Sequence, residues 1–347
     1  MSNELILPPY LFPAKIELAM QDSIGLFQPS FGFGVSQRIN FGATYWRAKI
    51  SFEKLTTTER HELLAMLTGA GRFHAIYIPI YGEAKRGSGV FAELLTDTAT
   101  YSGTFESGVD SWTKDASYTI TVNGRVARCT RNAVGTAQNA IRTAVLTSAI
   151  ATFPHAFRAM ITPGKAVFDL LSLRMGSTAG GLEWGSLTIA AGDYGLFTLA
   201  AVTTTTSLSV TVRDGDTAGQ AVNDYFNVPW LSAARCGLVA GASQVGSALN
   251  TDGWAVSTNG LLERGDFVNV VLPSGLHLAR LTDSLNSSST GTAYMQFEPP
   301  LPESPADNAG IIVTTPLLKC VIGEAPVVTT YPPGYLSDVE IQVVGVF

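Results

Sequence analysis

The chain has 347 residues, 46% of them hydrophobic and only 14% charged, with 34 glycines and a formal charge of −6. The length asks for two or three packed units, and a charged fraction below the ~25% of an average soluble domain suits sheets and tight turns rather than long solvated helices. A net negative chain lacks the basic face that phosphates require, and no apolar run reaches the ~20 residues that span a bilayer, so neither a nucleic-acid partner nor membrane insertion is expected.

The opening segment, Met1 to Pro13, carries Glu4 and three prolines and lacks the basic-then-apolar order of a secretory signal. Residues 1–96 then read as one block. Tyr45-Trp46-Arg47-Ala48-Lys49-Ile50-Ser51-Phe52 alternates bulky and polar side chains, as a half-buried strand does. The one convincing helix follows. Thr56 and Glu59 have capping-box spacing, Leu63, Leu64 and Leu67 gather on one face, and Gly69 and Gly71 end it. Arg72 to Ile78 alternates again and enters a loop at Tyr81 to Gly87.

The texture changes over 97–233. Between residues 98 and 232 nine basic side chains balance nine acidic ones, so the whole negative excess lies outside this stretch. Short alternating runs recur between turn signals: Tyr118-Ile120-Val122, Phe157-Ala159-Ile161, Leu187-Ile189 and Leu208-Val210-Val212. Many short strands without a capped helical segment predict a β-sandwich standing as its own unit. Over 234–347 a meander is expected, with strands at Phe267–Val271, His277–Leu281 and Ala293–Phe297 in a small barrel or open sandwich. The cysteines, Cys129, Cys236 and Cys320, are odd in number and widely spaced, and read as small buried side chains. No cofactor or metal is expected.

Sugar recognition needs flat aromatic faces with polar neighbours, and Trp184, Tyr194, Tyr118 and Trp230 are the candidate faces. Glu183, Asp193 and Asn223 are candidate partners for hydroxyls, and Trp112 reads as a core plug. Trp184 leads because it sits among Gly180, Gly181, Glu183 and Gly185, a loop-like setting. Against this stands the ordinary fate of large aromatics, which is a core. A catalyst is not expected. His61, His74, His155 and His277 are scattered, and no nucleophile elbow, zinc-protease run or phosphate loop is present. Glu106, Asp110 and Asp115 read as a solvated turn before a glycosidase pair. Arg264-Gly265-Asp266 reads as a turn and Asn286-Ser287-Ser288 as a polar hairpin tip.

The two flanks resemble the distal tail or minor tail proteins of siphophages and related prophages. At the N-terminal side the resemblance is carried by Leu7-Pro8-Pro9-Tyr10-Leu11-Phe12-Pro13-Ala14-Lys15, Gln37-Arg38, Tyr45-Trp46-Arg47-Ala48, the strand and helix from Phe52 to Leu67, and Gly71-Arg72-Phe73. At the C-terminal side it is carried by Val239 to Ser247, Thr251-Asp252-Gly253-Trp254, Arg264-Gly265-Asp266-Phe267, Leu276-His277, Phe297-Glu298-Pro299-Pro300-Leu301 and Ser304-Pro305-Ala306-Asp307. Their order, skipping the middle block, is the persuasive feature. The resemblance implies a virion component made in the host's reducing cytoplasm. It would form a ring, commonly a hexamer, touching the tail tube protein on one side and the tip hub protein on the other.

The middle block resembles jelly-roll carbohydrate-binding modules through Thr104 to Trp112, Asn123-Gly124-Arg125-Val126-Ala127-Arg128 and Asp224-Tyr225-Phe226-Asn227-Val228. Relatives carry an aspartate where this chain has Asn227, contributing to a calcium site with an early carboxylate such as Glu106; the amide weakens that ligand set. The expected fold is therefore mainly β: a small barrel or sandwich tail-tip domain with one helix (1–96 and 234–347), interrupted by an inserted jelly-roll sandwich (97–233). The expected function is structural, with the insert binding host surface polysaccharide. Its alternatives are an architectural insert or another tail-tip or hub role. If labour is divided in this way, deleting residues 98–232 should spare the ring and reduce cell binding.

Overall fold

The computed structural model describes the chain apart from residues 1–3, 8–10, 12, 28–36, 71–74, 81–104, 106–111, 124–125, 134–137, 144–150, 166–167, 169–170, 179, 216–220, 324–327, 331–336 and 347. The expected loop at Tyr81 to Gly87, and Glu106 and Asp110, lie outside the described residues. The protein is mainly β, with one α-helix among the described residues, and that helix is neither long nor apolar enough to cross a membrane.

The first part supplies β1 (Leu5–Ile6), β2 (Lys15–Phe27), β3 (Gln37–Leu55), α1 (Thr57–Ala70) and β4 (Ile76–Pro79). The capping box forms as its spacing predicts: the Thr56 amide donates to Glu59 Oε2 at 2.9 Å, and the Glu59 amide donates back to Thr56 Oγ1 at 3.3 Å. Leu63 and Leu67 then pack into a core with Ile50, Phe52 and Ile78.

The middle of the chain forms a two-sheet sandwich. Its strands are β5 (Tyr118–Asn123), β6 (Val126–Arg131), β7 (Gln138–Arg142), β8 (Pro154–Thr162), β9 (Leu171–Gly176), β10 (Gly185–Ile189), β11 (Gly195–Val202), β12 (Ser209–Asp214) and β13 (Tyr225–Arg235). One sheet has the order β10-β9-β12-β7 and the other β11-β8-β13-β6-β5. Period-two alternation fills the space between them: Leu171, Leu173 and Met175 meet Phe157, Ala159 and Ile161, while Phe105 and Trp112 close one end with ring centroids 6.0 Å apart.

Next comes a closed six-stranded barrel of β14 (Gly237–Val239), β15 (Gly246–Asp252), β16 (Phe267–Leu272), β17 (Gly275–Leu281), β18 (Ala293–Leu301) and β19 (Gly310–Ile312). The expected meander is its central part, β16-β17-β18. Arg264-Gly265-Asp266 makes the turn into β16: Gly265 has φ +98° and the Asp266 carboxylate accepts the Glu263 amide at 2.8 Å.

The chain finally returns to its beginning. β20 (Leu317–Ile322) pairs with β4, and β22 (Ser337–Gly345) pairs with β3, with β21 (Val328–Thr330) alongside β22. A seven-stranded sheet of order β1-β4-β20-β22-β3-β2, with β21 to the side, is thus made from both ends of the chain.

The sandwich does not stand apart. β8 is buried on both faces. Its outward residues Ala156 and Met160, with Trp230, share a core with Ile6 and Tyr77 of the first sheet, Leu238, Leu276 and Ile312 of the barrel, and Leu317. Arg158, 1% exposed, crosses the same boundary and donates to the carbonyls of Thr314 at 2.9 Å and Thr315 at 3.0 Å.

Candidate functional site

The four candidate aromatics go to three different places. Tyr118 is fully buried in the sandwich; its hydroxyl donates to the Asp214 carboxylate, which also pairs with Arg131. Burial pushes the Tyr118 phenol up to about 12, partly offset by Arg131. Trp230, 5% exposed, lies in the shared core with the Arg158 guanidinium 4.9 Å from its ring centroid. Tyr194 is 6% exposed, and burial raises its phenol as well. These three rings offer no open face for a sugar to stack on, because each supplies a large apolar area that a core claims first.

Trp184 alone is half-buried. It leans on the sandwich core and its indole Nε1 donates to Thr204 Oγ1 at 3.1 Å. Of the hydroxyl partners, Glu183 is exposed with Oε1 near the hydroxyls of Ser177 (3.5 Å) and Thr178 (3.4 Å). Asn223 occupies a turn at φ +71°, and Asp193 is exposed. The Asn227 amide donates to the Pro163 carbonyl at 2.9 Å, a bond that a carboxylate there would not make.

Two of these residues meet in one cavity. A cleft of about 390 Å³ opens where sandwich, barrel and terminal sheet join, and Asp193 and Tyr194 line its sandwich side. Across from them stand Val271 to Leu276 of the β16–β17 hairpin, with Glu4, Tyr77 and Lys319 at the base. Glu4 organises that base. Its Oε2 accepts the Tyr77 hydroxyl at 3.0 Å and the Leu196 amide at 3.3 Å, and its Oε1 pairs with Lys319 Nζ at 3.1 Å. Both side chains of the pair are 14% exposed, so the ion pair is largely withdrawn from water. The Tyr77 phenol is pushed far above its ordinary value, first by burial and then by the Glu4 charge. Gly195 beside it has φ +151°, a conformation that residues with a side chain rarely adopt, and a Cβ there would also sit 2.5 Å from Glu4 Oε2.

The cleft has the size of a small-molecule site. Leu187, Leu196, Val271 and Leu276 give it apolar walls, while Asp193, Thr198, Ser274 and Lys319 give acceptors and donors. That combination suits a polyol ring, with C–H groups on the walls and hydroxyls at the polar positions. Glu4, Tyr77 and Lys319 were missed in the sequence. Their signal was faint but present: Glu4 and Lys319 are solitary charges in the apolar runs Glu4-Leu5-Ile6-Leu7 and Leu317-Leu318-Lys319-Cys320, where a buried charge needs a partner.

No family model matches the chain, and no curated protein matches it. Among solved structures it is similar to the N-terminal CBM22-1–CBM22-2 tandem domain of Xyn10C from Paenibacillus barcinonensis, at 11% identity and a TM-score of 0.30 over 75% of this chain and 99% of that one. A likeness at that score carries no argument for function.

Proposed function

We propose that this chain is an assembly component of a bacteriophage tail tip, a ring-forming distal tail protein whose central sandwich meets host surface polysaccharide. It works by binding and assembly rather than catalysis. The observation that carries the reading is the seven-stranded sheet. Residues Ile76–Pro79 and Gln37–Leu55 pair with Leu317–Ile322 and Ser337–Gly345, while the chain between leaves to build sandwich and barrel. This is the geometry of an insertion, and it supports the flanking resemblance that skips the middle block. The ring would touch tail tube protein and tip hub protein, and would turn weak sugar contacts into avidity because each later contact is intramolecular. Native mass measurement of the purified full-length protein tests it: a closed ring, six copies on this reading, is expected, and a monomer at assembly concentrations sinks the proposal.

Within this reading the cleft lined by Asp193 is the sugar site. On a glycan array, Asp193→Ala is expected to lose the hits of the parent protein by tenfold or more, with an unchanged melting temperature. A second reading makes the sandwich architectural, and the shared core and the Arg158 bridge favour it. An array without reproducible hits for the parent protein would select that reading.

A further inference from the structure

The outer face of the four-stranded sheet carries more polar capacity than the fold uses. Leu171, Leu173, Met175, Val210 and Val212 point into the sandwich core, so the alternate residues of β9 and β12 point outward. The register then sets two polar rows across the strands. One runs Ser186, Arg174, Thr211, Arg142 and the other Thr188, Ser172, Arg213, Asn139. Three arginines on three neighbouring strands thus surround Thr211.

Arg142 and Arg174 differ in how their charges are answered. Arg142 pairs with Asp115 at 3.3 Å. Among the described residues no carboxylate pairs with Arg174, whose Nε reaches only the Ser172 hydroxyl, at 3.4 Å. Burial, and then the neighbouring positive charge of Arg213, lowers the Arg174 pKa, so two guanidinium groups face each other's field on this sheet. Glu183, in the turn that folds back over the face, has its carboxylate near the hydroxyls of Ser177 and Thr178. That turn comes so close that a Cβ on Gly180 would lie 2.6 Å from the Asn139 amide nitrogen.

Beneath the arginines are orphaned polar atoms. Thr211 is 1% exposed and Asn139 7%, yet Thr211 Oγ1 and Asn139 Oδ1 have no hydrogen-bond partner. Buried polar atoms without partners are uncommon in folded proteins and call for an explanation, and these two lie on one face with the arginines. The other margin, at Ser186 and Thr188, is open to solvent.

We propose that this face binds an oxyanion carried by an acidic polysaccharide, with Arg174 holding the anionic group, the charge of Arg213 adding to the field there, and Ser186 and Thr188 meeting neighbouring hydroxyls. The planar guanidinium fork of Arg174 matches a carboxylate or phosphate, and the positive field of Arg213 beside it favours an anion at that position. A small cationic patch on a chain of net charge −6 suits a sparsely spaced anion, such as one uronate per repeat, better than the unbroken phosphate run of a nucleic acid. The inference rests on the reading that the sandwich meets surface polysaccharide, and it adds the class: chains bearing uronate or phosphate.

The test uses the full-length protein and four probes: a glucuronate-containing oligosaccharide, its carboxyl-reduced form, a glycerol-phosphate oligomer and a single-stranded oligonucleotide. The uronate probe is expected to bind at least tenfold more tightly than its reduced form, with the preference falling as salt rises. Arg174→Gln should abolish that preference and Arg174→Lys retain part of it, both with an unchanged melting temperature; if Arg174→Gln fails to fold, Arg213→Gln gives the same reading. Binding of the glycerol-phosphate oligomer with the same Arg174 dependence assigns phosphate as the anion and supports the site equally. Equal binding of the acidic and reduced forms, binding of neither uronate nor phosphate probe, or an Arg174→Gln protein that still discriminates overturns the proposal. An oligonucleotide bound as tightly as the acidic sugar overturns the polysaccharide assignment. Asp193→Ala separates the two sites: loss of neutral-sugar binding with the acid preference intact concerns the cleft alone.

Discussion

Arg158 joins parts of the chain more than 150 residues apart with one side chain. It is buried, stacked near Trp230, and bonded to Ser232 Oγ at 2.9 Å as well as to the two backbone carbonyls of Thr314 and Thr315. Arg158→Met keeps much of the apolar stem but strips partners from buried acceptors, and should lower stability by about 3 kcal/mol in chemical denaturation. His155 lies near it on the same strand, 1% exposed, with Nδ1 3.0 Å from the Phe153 carbonyl. Burial, with a lesser contribution from Arg235, lowers its pKa from the ordinary 6.5 to about 4. The unfolded chain therefore binds the extra proton first as pH falls. The stability tied to neutral His155 is complete above pH 6.5 and declines through the window down to about 4, by up to about 3 kcal/mol. His155→Phe should flatten that part of a melting-temperature profile; an unaltered slope would assign it to other groups.

At the scale of elements, local pattern was a good guide where local physics decides. The helix could be read because Thr56 and Glu59 satisfy each other's amides, and Thr56→Ala should cost about 1 kcal/mol by removing that reciprocal cap. Circular dichroism during denaturation would record it. Strands at Tyr45–Phe52, Phe157–Ile161 and Phe267–Val271 were legible from their side-chain alternation, but only the first has one buried and one open face; Phe157–Ile161 is buried on both, which its sequence did not show. The partners of those strands were not legible. Nothing local in Leu317–Ile322 says that it lies beside Ile76–Pro79, because pairing across that separation is chosen by the finished core. The candidate site suffered in the same way. Tyr118, Tyr194 and Trp230 have the composition of a sugar platform, and only tertiary packing reveals that Asp214 or Arg158 holds two of them inside. Trp184 kept part of its surface because it stands between the edge strands of the two sheets, where Gly185 approaches Leu199 and Ala201.

The whole molecule changes the expectation that residues 98–232 can be removed cleanly. Ile6, Tyr77, Leu238, Leu276, Ile312 and Leu317 are buried against Ala156, Met160 and Trp230, and deletion would return that apolar surface to water. A protein lacking 98–232 is expected to bind a hydrophobic dye and to aggregate at concentrations where the parent stays dispersed. A dispersed, dye-silent deletion protein would instead mean that the sandwich is a detachable ornament.

The sheet made from both chain ends also sets a schedule for synthesis. β3 and β4 emerge early, but β20 and β22 follow roughly 240 to 290 residues later, which at about 5–20 residues per second leaves β3 and β4 without those neighbours for about ten seconds to a minute. The sandwich and barrel strands all emerge inside that interval. Chains stalled on the ribosome just after Ile312 should therefore resist protease across the sandwich while being cut between Lys15 and Pro79. Until β20 and β22 emerge, the nascent protein carries exposed strand edges of the kind that recruit chaperones or pair with a neighbouring chain, so its yield depends on how fast translation reaches those two strands.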